Sequence, residues 1–514
     1  MRYLLPAILL LGTQIASAQS ILKDKDDKEL SVLLNEVVIT GTGTEHYLKD
    51  APVQTEVITS KALEQYQARS IDDLLSGLSS SLTFHDGDMG SHIQLNGLNN
   101  DYILIMINGK RMNGDVGGQN DLNQLNPANI ERIEIVKGAA SSLYGSDAIA
   151  GVINITTKRN REKMELTNTS RIGEYGDIRQ STSFGFNYGK IKSVTGINFR
   201  HTDGWRNTDL QWDQNQLKSG STMLTVNRSS NYTLSENIEW QVNRKLDLTA
   251  EGTYYERWVM RTHGPWKYQA NDFYYRNYTF AVGSKYKLGK RNYLTADLSY
   301  GRYGYFYDYK LNEHTDYFLD NDRHERITYF AGQRIKQSIQ KQILGQVKSV
   351  FYLGEDHILN AGIEYQYNHL ESPHHIDGDR ASVYTLAAYI QEEWTARENL
   401  VLTAGVRGTQ HKETGLNFSP KISGLYKPGE HINLRASYAL GYKAPTIKEL
   451  YYNYTGVIGG GALTAYHGNT DLKAQTSQYA SIGIEYVGQK FQASLTGYMN
   501  YLCLLYTSPS PRDA

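Results

Sequence analysis

Two rhythms of apolar residues divide the chain. Residues 35–158 carry the short, mixed patterning of a compact α/β unit. Val37-Val38-Ile39-Thr40 is a β-type run. Ser60, with Leu63 and Glu64, predicts a capped amphipathic helix through Tyr66. Ser70 predicts a second cap, on a helix from Ile71 to Leu78 whose first turn holds Asp72 and Asp73, where the helix dipole favours carboxylates. Short strands are predicted at Ile93–Leu95, Tyr102–Ile107, Ile130–Val136 and Gly151–Thr156. Asn108-Gly109 is a hairpin signal leading into Lys110-Arg111. From about residue 162 the rhythm becomes strictly period two. Ile432, Leu434, Ala436, Tyr438 and Leu440 alternate with Asn433, Arg435, Ser437 and Ala439, and Leu402, Ala404 and Val406 alternate with Thr403, Gly405 and Arg407. Each such run puts apolar groups on one face of a strand and polar groups on the other.

A soluble sandwich and a membrane barrel both alternate. A sandwich needs large aliphatics on its inner face, whereas here the apolar face is modest and rich in Ala and Tyr, and the polar face carries Arg, Asp and Glu. That suits a lipid-facing outside around a wet interior. Short turns such as Leu288-Gly289-Lys290 and Lys427-Pro428-Gly429-Glu430 alternate with longer polar connections at 204–220, 260–271 and 452–475, the asymmetry expected of an outer-membrane barrel. An open sheet in lipid would leave backbone groups unpaired.

Composition sharpens the choice. The chain has 514 residues, a formal net charge of −1 and a mean hydropathy of −0.52, so no basic excess points to nucleic acid. Its 40 Tyr against 12 Phe and 6 Trp suit either a water–hydrocarbon boundary or strand preference alone. Cys503 is the only cysteine, so no intramolecular disulfide forms. Arg2, an apolar run from Leu4 to Leu11 and Ala16-Ser17-Ala18 make a signal peptide over 1–18, with the mature chain starting at Gln19. No later run of 18 apolar residues exists, so the exported chain is expected to be periplasmic, secreted or an outer-membrane barrel.

Some segments resemble a known family. Glu36-Val37-Val38-Ile39-Thr40-Gly41 resembles a TonB box. Ile130-Glu131-Arg132-Ile133-Glu134-Ile135-Val136-Lys137-Gly138, continuing through Ser141-Ser142-Leu143-Tyr144-Gly145-Ser146 to Ala150-Gly151-Val152-Ile153-Asn154-Ile155, is similar to the central plug segment of TonB-dependent outer-membrane receptors. The likeness covers nearly the whole mature chain. It implies a transmembrane β-barrel, 22-stranded in the intact family, with an N-terminal α/β plug in the outer membrane of a Gram-negative bacterium. About 16 strand-like runs are present here. The implied boundaries are a flexible tether at 19–34, the box at 35–41, the plug at 42–158 and a partial barrel at 159–501. Residues 502–514 resemble translated adapter sequence and are expected to be non-native. The box, extended and mobile, would offer Glu36, Val37, Val38, Ile39 and Thr40 as an added strand to TonB in the TonB–ExbB–ExbD complex; the alternative is an ordinary first strand. The other partners implied are outer-membrane lipid and a small iron ligand.

The cargo follows from a barrel segment. Tyr442-Lys443-Ala444-Pro445, Glu449-Leu450-Tyr451 and His467-Gly468-Asn469-Thr470-Asp471-Leu472 resemble the paired FRAP and NPNL boxes of haem receptors, although the first box begins Tyr-Lys and the second lacks Pro. The resemblance implies TonB-driven uptake of a scarce iron-containing nutrient, haem first, with ferric siderophore or cobalamin as alternatives. His467 is the candidate axial ligand, and His85 or His92, flanking Asp86-Gly87-Asp88-Met89-Gly90, the candidate second one. Trp258 and Trp266 are expected either to stack on a porphyrin or to belong to an interfacial girdle. Gly87, Gly90, Gly97, Gly114, Gly117 and Gly118 serve as substrate-facing loop residues, as turn glycines, or as both. No permanent cofactor, intrinsic metal or enzymatic activity is expected: G-x-S-x-G, H-E-x-x-H and nucleotide-binding glycine motifs are absent from the sequence. A passive porin or a barrel-embedded hydrolase is the reading from a different class.

Overall fold

The computed structural model describes residues 37–66, 68, 70–87, 89–116, 118–160, 162–213, 216–261, 271–319, 323–458, 462–488 and 492–503. The signal peptide, the tether, Glu36, Gly117, Trp266 and residues 504–514 lie outside them. Two bodies are present, one inside the other.

The inner body is built on a five-stranded sheet in the order Thr55–Ile58, Ile130–Lys137, Gly151–Thr157, Ile103–Ile107, Lys110–Arg111. The pair Gly151–Thr157 and Ile103–Ile107 is parallel and the rest antiparallel. The apolar runs read from the sequence become its centre, with Ile133, Ile135, Ile153 and Ile155 fully buried. Helices Ser60–Tyr66 and Ile71–Leu78 pack on this core through Leu63, Ile71, Leu74 and Leu75. Ser70 caps the second helix, its hydroxyl accepting from the Asp73 N–H at 3.1 Å. The first helix corrects the reading by one residue. Ser60 is its first helical residue, and the hydroxyl of Thr59 accepts from the Ala62 N–H at 3.4 Å. Asn108 and Gly109 both take positive φ, 51° and 77°, as a two-residue hairpin requires.

The outer body is one antiparallel sheet of fifteen strands running from Met164–Ile172 to Gln492–Cys503. Ser181 and Asn198 near its start accept from Asn126 of the inner body and Gln475 near its end accepts from Tyr102, so the sheet wraps around it. The burial pattern decides between sandwich and barrel, because the polar face is the buried one. Val406 is 40% exposed while its neighbour Arg407 is 1% exposed. Asn433 is likewise buried between the exposed Ile432 and Leu434. Charged and amide side chains therefore line the inside, and apolar ones face outward, as a wall in lipid requires.

Two of the long polar connections are not irregular. Residues Trp205–Asp213 and Gln216–Val226 form a hairpin, and Asn453–Ile458 with Ala462–His467 joins Glu313–Leu319 and Arg323–Tyr329 in a four-stranded sheet beyond the wall. The last wall strand also extends past its expected end at Tyr501. Leu502 and Cys503 pair with Ser477 and Thr476 at its end.

Candidate functional site

Strand register gives the wall two distinct ends. Turns such as Gly354–Asp356 and 398–399 lie at one, and the long connections at the other. The inner body meets a different set of side chains at each.

At the short-turn end sits the N-terminal segment. Val37 and Val38 pair with Tyr47 and His46 in a two-stranded ribbon. Ile39 and Thr40 donate their backbone N–H groups to one carboxylate oxygen of Glu134, at 3.0 and 2.8 Å. The other oxygen accepts from Arg132 Nε at 2.9 Å, and the Glu134 side chain is fully buried. The Tyr144 hydroxyl donates to the Thr40 carbonyl at 2.8 Å, and Asn154 Nδ2 to the Thr40 hydroxyl at 3.1 Å. The wall adds further ties: Gln391 Nε2 donates to the Thr42 carbonyl at 2.7 Å, His46 Nε2 lies 3.0 Å from Glu393, and Arg435 Nε donates to the Ala51 carbonyl at 2.9 Å. The segment is extended only at Val37–Val38, turns back from Ile39 with the Gly43 N–H donating to the Ile39 carbonyl at 2.7 Å, and is docked and not free: Val38 and Thr40 are 2% and 1% exposed. The reason is that its unpaired N–H groups find a buried anion 94 residues away.

At the long-loop end the inner body forms the floor of an open polar cavity of about 430 Å³. Its floor carries Asp101, Asn113, Asp115, Asn120, Ser146 and Asp147, and its walls include Gln340, Gln342, Asn368 and His411. A short helix, Ile447–Tyr451, roofs one side. Thr446 and Glu449 close a capping box on it, with the Thr446 hydroxyl accepting from the Glu449 N–H at 3.2 Å and the Glu449 carboxylate from the Thr446 N–H at 2.7 Å. The box fixes Lys448, whose Nζ reaches Asp115 at 2.6 Å. Burial acts to lower the Lys448 pKa, but Asp115, Tyr452 and Asp101 together outweigh it and the ammonium is held above its ordinary value. Burial pushes the Asp101 carboxyl above its ordinary value, against the opposing pull of Lys443.

The structure brings the two boxes together. Tyr442 and Ala444 donate backbone N–H groups to the hydroxyls of Ser141 and Ser146 on the inner body, at 3.2 and 3.1 Å. Lys443 is buried, 5.3 Å above the Tyr102 ring, and Pro445 lines the cavity before the helix. The Asn469 N–H donates to the Glu449 carbonyl at 3.0 Å, while its side chain accepts from the Asp471 N–H at 2.8 Å and its carbonyl from the Leu472 N–H at 3.3 Å. Gly468 lies against the backbone of Leu450 and Tyr451 so closely that a Cβ would be only 2.6 Å away. These contacts make the boxes a clamp between wall, loop and inner body.

The three predicted histidines are not brought together with this clamp. His467 is exposed at the foot of the loop hairpin, 3.0 Å from the Asn453 side chain, and does not line the cavity. His85 and His92 stand opposite one another on the hairpin Leu82–Gly87/Gly90–Leu95, both exposed. His411, which does line the cavity, accepts at Nδ1 from the Glu413 and Thr414 N–H groups, both at 3.3 Å. Its neutral proton is therefore on Nε2, which leaves that nitrogen without a lone pair for iron. Trp258 faces outward against Tyr232 and Tyr274, in the girdle position. Gly90 and Gly114 answer the glycine question sterically. Both have positive φ, and a Cβ would crowd the Asn120 backbone or the Tyr303 ring, respectively.

Between the ends lie ties that the sequence reading missed. Asp121 is fully buried and accepts from the hydroxyls of Tyr255 and Tyr303 at 3.0 and 2.8 Å, with Arg257 at 3.4 Å. Arg407 pairs with Glu364 at 2.8 Å and donates to the Leu143 carbonyl at 3.1 Å. The only signal for Arg407 was its place on the polar face of an alternating strand.

Comparison with known proteins follows the same division. Residues 48–152 match the TonB-dependent receptor plug domain family, and residues 163–502 the TonB-dependent receptor-like β-barrel family. The iron-regulated outer membrane virulence protein of Vibrio cholerae is 25% identical over 493 residues, covering 90% of this chain and 68% of that protein. Ferric enterobactin receptor PirA of Pseudomonas aeruginosa is 22% identical over 558 residues, covering 96% and 73%. A crystal structure of a mutant ferric enterobactin receptor PfeA from the same species superposes with a TM-score of 0.72 at 19% identity, covering 88% of this chain and 72% of that one.

Proposed function

From the membership of this chain in the TonB-dependent receptor family of the Gram-negative outer membrane, we propose that it binds a scarce iron chelate at the long-loop end and imports it with energy delivered by TonB at the short-turn end. The observation that carries this reading is the division of labour across one plug. A polar, hydrogen-bonding cavity opens on one face, and the N-terminal segment is docked on the other. In this reading Glu36, Val37, Val38, Ile39 and Thr40 add as a strand to TonB, which is driven by ExbB and ExbD. Work done on that segment displaces the plug. A family of receptors and transporters also argues against an enzyme or a passive porin.

For the cargo, a ferric siderophore is the first reading. The cavity offers amides, hydroxyls and paired charges, and an iron-regulated relative and ferric enterobactin receptors are among the similar proteins. Haem is the second reading. It rests on His85 and His92, which face each other beside the plug hairpin tip, and on His467 in the loop. The two are separated by titrating the purified parent receptor with a ferric catecholate, haemin and cyanocobalamin, following intrinsic fluorescence and the Soret band. Quenching by the catecholate without a Soret shift supports the first; a Soret shift lost in His467→Ala or His85→Ala/His92→Ala supports the second. Growth on the bound compound that persists in a strain without TonB refutes both.

A further inference from the structure

One cation between plug and wall has no counter-charge. Lys421 lies on the wall strand Gly415–Gly429 and points inward: it is 6% exposed, while Pro420 and Ile422 on either side of it face outward. Among the described residues it has no carboxylate within 4.0 Å and no hydrogen-bond partner. Taking an ammonium out of water without a partner is among the largest single costs a fold can carry, so a buried charge is ordinarily paired.

Register identifies what surrounds it. Its direct cross-strand partners are Gly405 and Ala439, both too short to reach a charge. Arg407, on the diagonal, is already committed: it pairs with Glu364 at 2.8 Å and donates to the Leu143 carbonyl at 3.1 Å. Glu393, opposite Thr403, faces His46 instead, at 3.0 Å. On the plug side, the helix Ser141–Tyr144 lies on the strands Leu400–His411, Gly415–Gly429 and Ile432–Lys443, and Ala139 packs on Ala439 and Tyr479. No residue from Gly138 to Tyr144 is acidic.

The same interface holds hydroxyls that lack partners. Thr403, Ser423 and, on the plug helix, Ser142 are buried, and among the described residues none of their hydroxyls makes a hydrogen bond. Thr403 and Ser423 are direct cross-strand partners, one row from Lys421. Each hydroxyl has a proton to give, and an ammonium has only donors. Water satisfies hydroxyls but leaves the charge standing. Gln391, across Gly405 from Lys421, donates Nε2 to the Thr42 carbonyl at 2.7 Å, and its unbonded amide oxygen is an acceptor without charge. What the cluster lacks is an anion.

We propose that Lys421, Thr403 and Ser423, closed over by Ser142 of the plug, bind a small monovalent inorganic anion such as chloride. The room beside the ammonium is what the short side chains of Gly405 and Ala439 leave, which suits a single small ion and not a phosphate or an organic carboxylate. The ion joins the wall to the helix Ser141–Tyr144, whose Tyr144 hydroxyl holds the Thr40 carbonyl. The inference depends on the plug sitting inside the barrel and not on the cargo.

The test uses the full-length receptor, purified from outer membranes in detergent. Chloride replaces gluconate stepwise at constant ionic strength and pH, and the melting temperature is read. In the parent it is expected to rise and level off, as a site present only in the folded state requires. In Lys421→Met, which keeps the length and removes the charge, the rise is expected to be lost. In Thr403→Val/Ser423→Ala the chloride giving half the rise is expected to increase about tenfold. Crystals of the parent soaked in bromide are expected to show an anomalous scatterer at hydrogen-bond distance from Lys421 Nζ. Heat-modifiable migration on a gel reports folding of each variant. Should Lys421→Met not fold, the double variant and the bromide site carry the readout. A parent indifferent to chloride, an equal rise in Lys421→Met, an unshifted midpoint in the double variant or no bromide at Lys421 would each overturn the proposal.

Discussion

Replacing Glu134 should free the N-terminal segment while leaving the barrel intact. Among the described residues its carboxylate is the only anion bonded to the Ile39 and Thr40 N–H groups, and it has no exposed surface. Hydrogen bonds to a charged group contribute about 1.5–3 kcal/mol each. Two are lost in Glu134→Ala, but the freed segment regains water at the short-turn end, so a net change of about 3 kcal/mol is a reasonable expectation. That shifts the docked-to-free ratio by roughly 150-fold. The remaining ties through Tyr144, Asn154 and Gln391 hold the Thr40–Thr42 stretch only where the backbone turns inward. Glu134→Gln is a gentler perturbation. Its amide oxygen still accepts from the segment, but its NH₂ then confronts the Arg132 Nε–H, donor against donor. About 1 kcal/mol is expected. The assay is a spin label at Val37→Cys in a Cys503→Ser background, read for mobility in detergent or nanodiscs. The order of mobility should be Glu134→Ala, then Glu134→Gln, then parent. Capture of the receptor by a soluble TonB C-terminal domain without cargo should follow the same order. A label as immobile in Glu134→Ala as in the parent would refute the assignment of Glu134 as the hold on this segment.

Three further outcomes are expected. Asp121→Asn removes the carboxylate that faces the buried Arg257, which costs about 3 kcal/mol, and hydrogen exchange at residues 112–116 and 118–124 should quicken while the wall strands stay protected. Gly138 has a φ of +90° and faces the Tyr479 ring, so Gly138→Ala should lower the melting temperature, and Gly138→Ala with Tyr479→Ala should relieve only the steric share. His375, in the loop beyond the wall, is packed between Tyr452 and Tyr454, and burial pushes its imidazole down to about 4. A depressed histidine keeps its contribution fully above the unfolded value near 6.5 and loses it as pH falls toward 4, a change of about 3 kcal/mol. Tyr452 fluorescence or limited proteolysis at 372–379 should therefore show the loop loosening in that window, and His375→Gln should abolish the dependence.

Much of the wall was legible because its side-chain period is two and one face is always in lipid. A register slip of one residue would put Arg407 and Arg435 in hydrocarbon, so the alternation alone assigned them inward. The plug core was legible from short β-type runs: Ile130, Ile133, Ile135 and Val136, with Val152, Ile153 and Ile155, are their apolar positions, and all are buried. Contacts between distant segments were not legible. Nothing local marks Glu134 as the partner of Ile39 and Thr40, or Asp121 as that of Tyr255 and Tyr303, since each pair is made by tertiary placement of groups whose sequence neighbourhoods look ordinary. The histidines show the limit from the other side. Residue type and loop position suggested His467, whereas the histidines lining the cavity are His369 and His411, both on wall strands, and the tautomer of His411 is fixed by two backbone donors.

The placement of those contacts bears on how the two ends communicate. Ile103–Ile107 begins two residues after Asp101 on the cavity floor, and it pairs in parallel with Gly151–Thr157. That strand carries Asn154, bonded to Thr40, and pairs in turn with Ile130–Lys137, which carries Glu134. One sheet thus reaches from the cavity floor to the docked segment, and its centre is packed without exposure at Ile133, Ile135 and Ile153. A packed sheet moves as a body and does not deform locally. A load on Asp101 or Asp147 is therefore felt at Glu134 as a small displacement relative to the wall-held residues Thr42 and His46. Hydrogen bonds weaken steeply with length and angle, so a shift of a few tenths of an ångström is enough to favour release. On this argument the docked segment is sensitive because it is held from two sides, by the sheet through Glu134 and Asn154 and by the wall through Gln391 and Glu393. Cutting the wall side with Gln391→Ala should leave the segment docked yet uncouple its mobility from cargo, while cutting the sheet side with Glu134→Ala should leave it mobile with or without cargo.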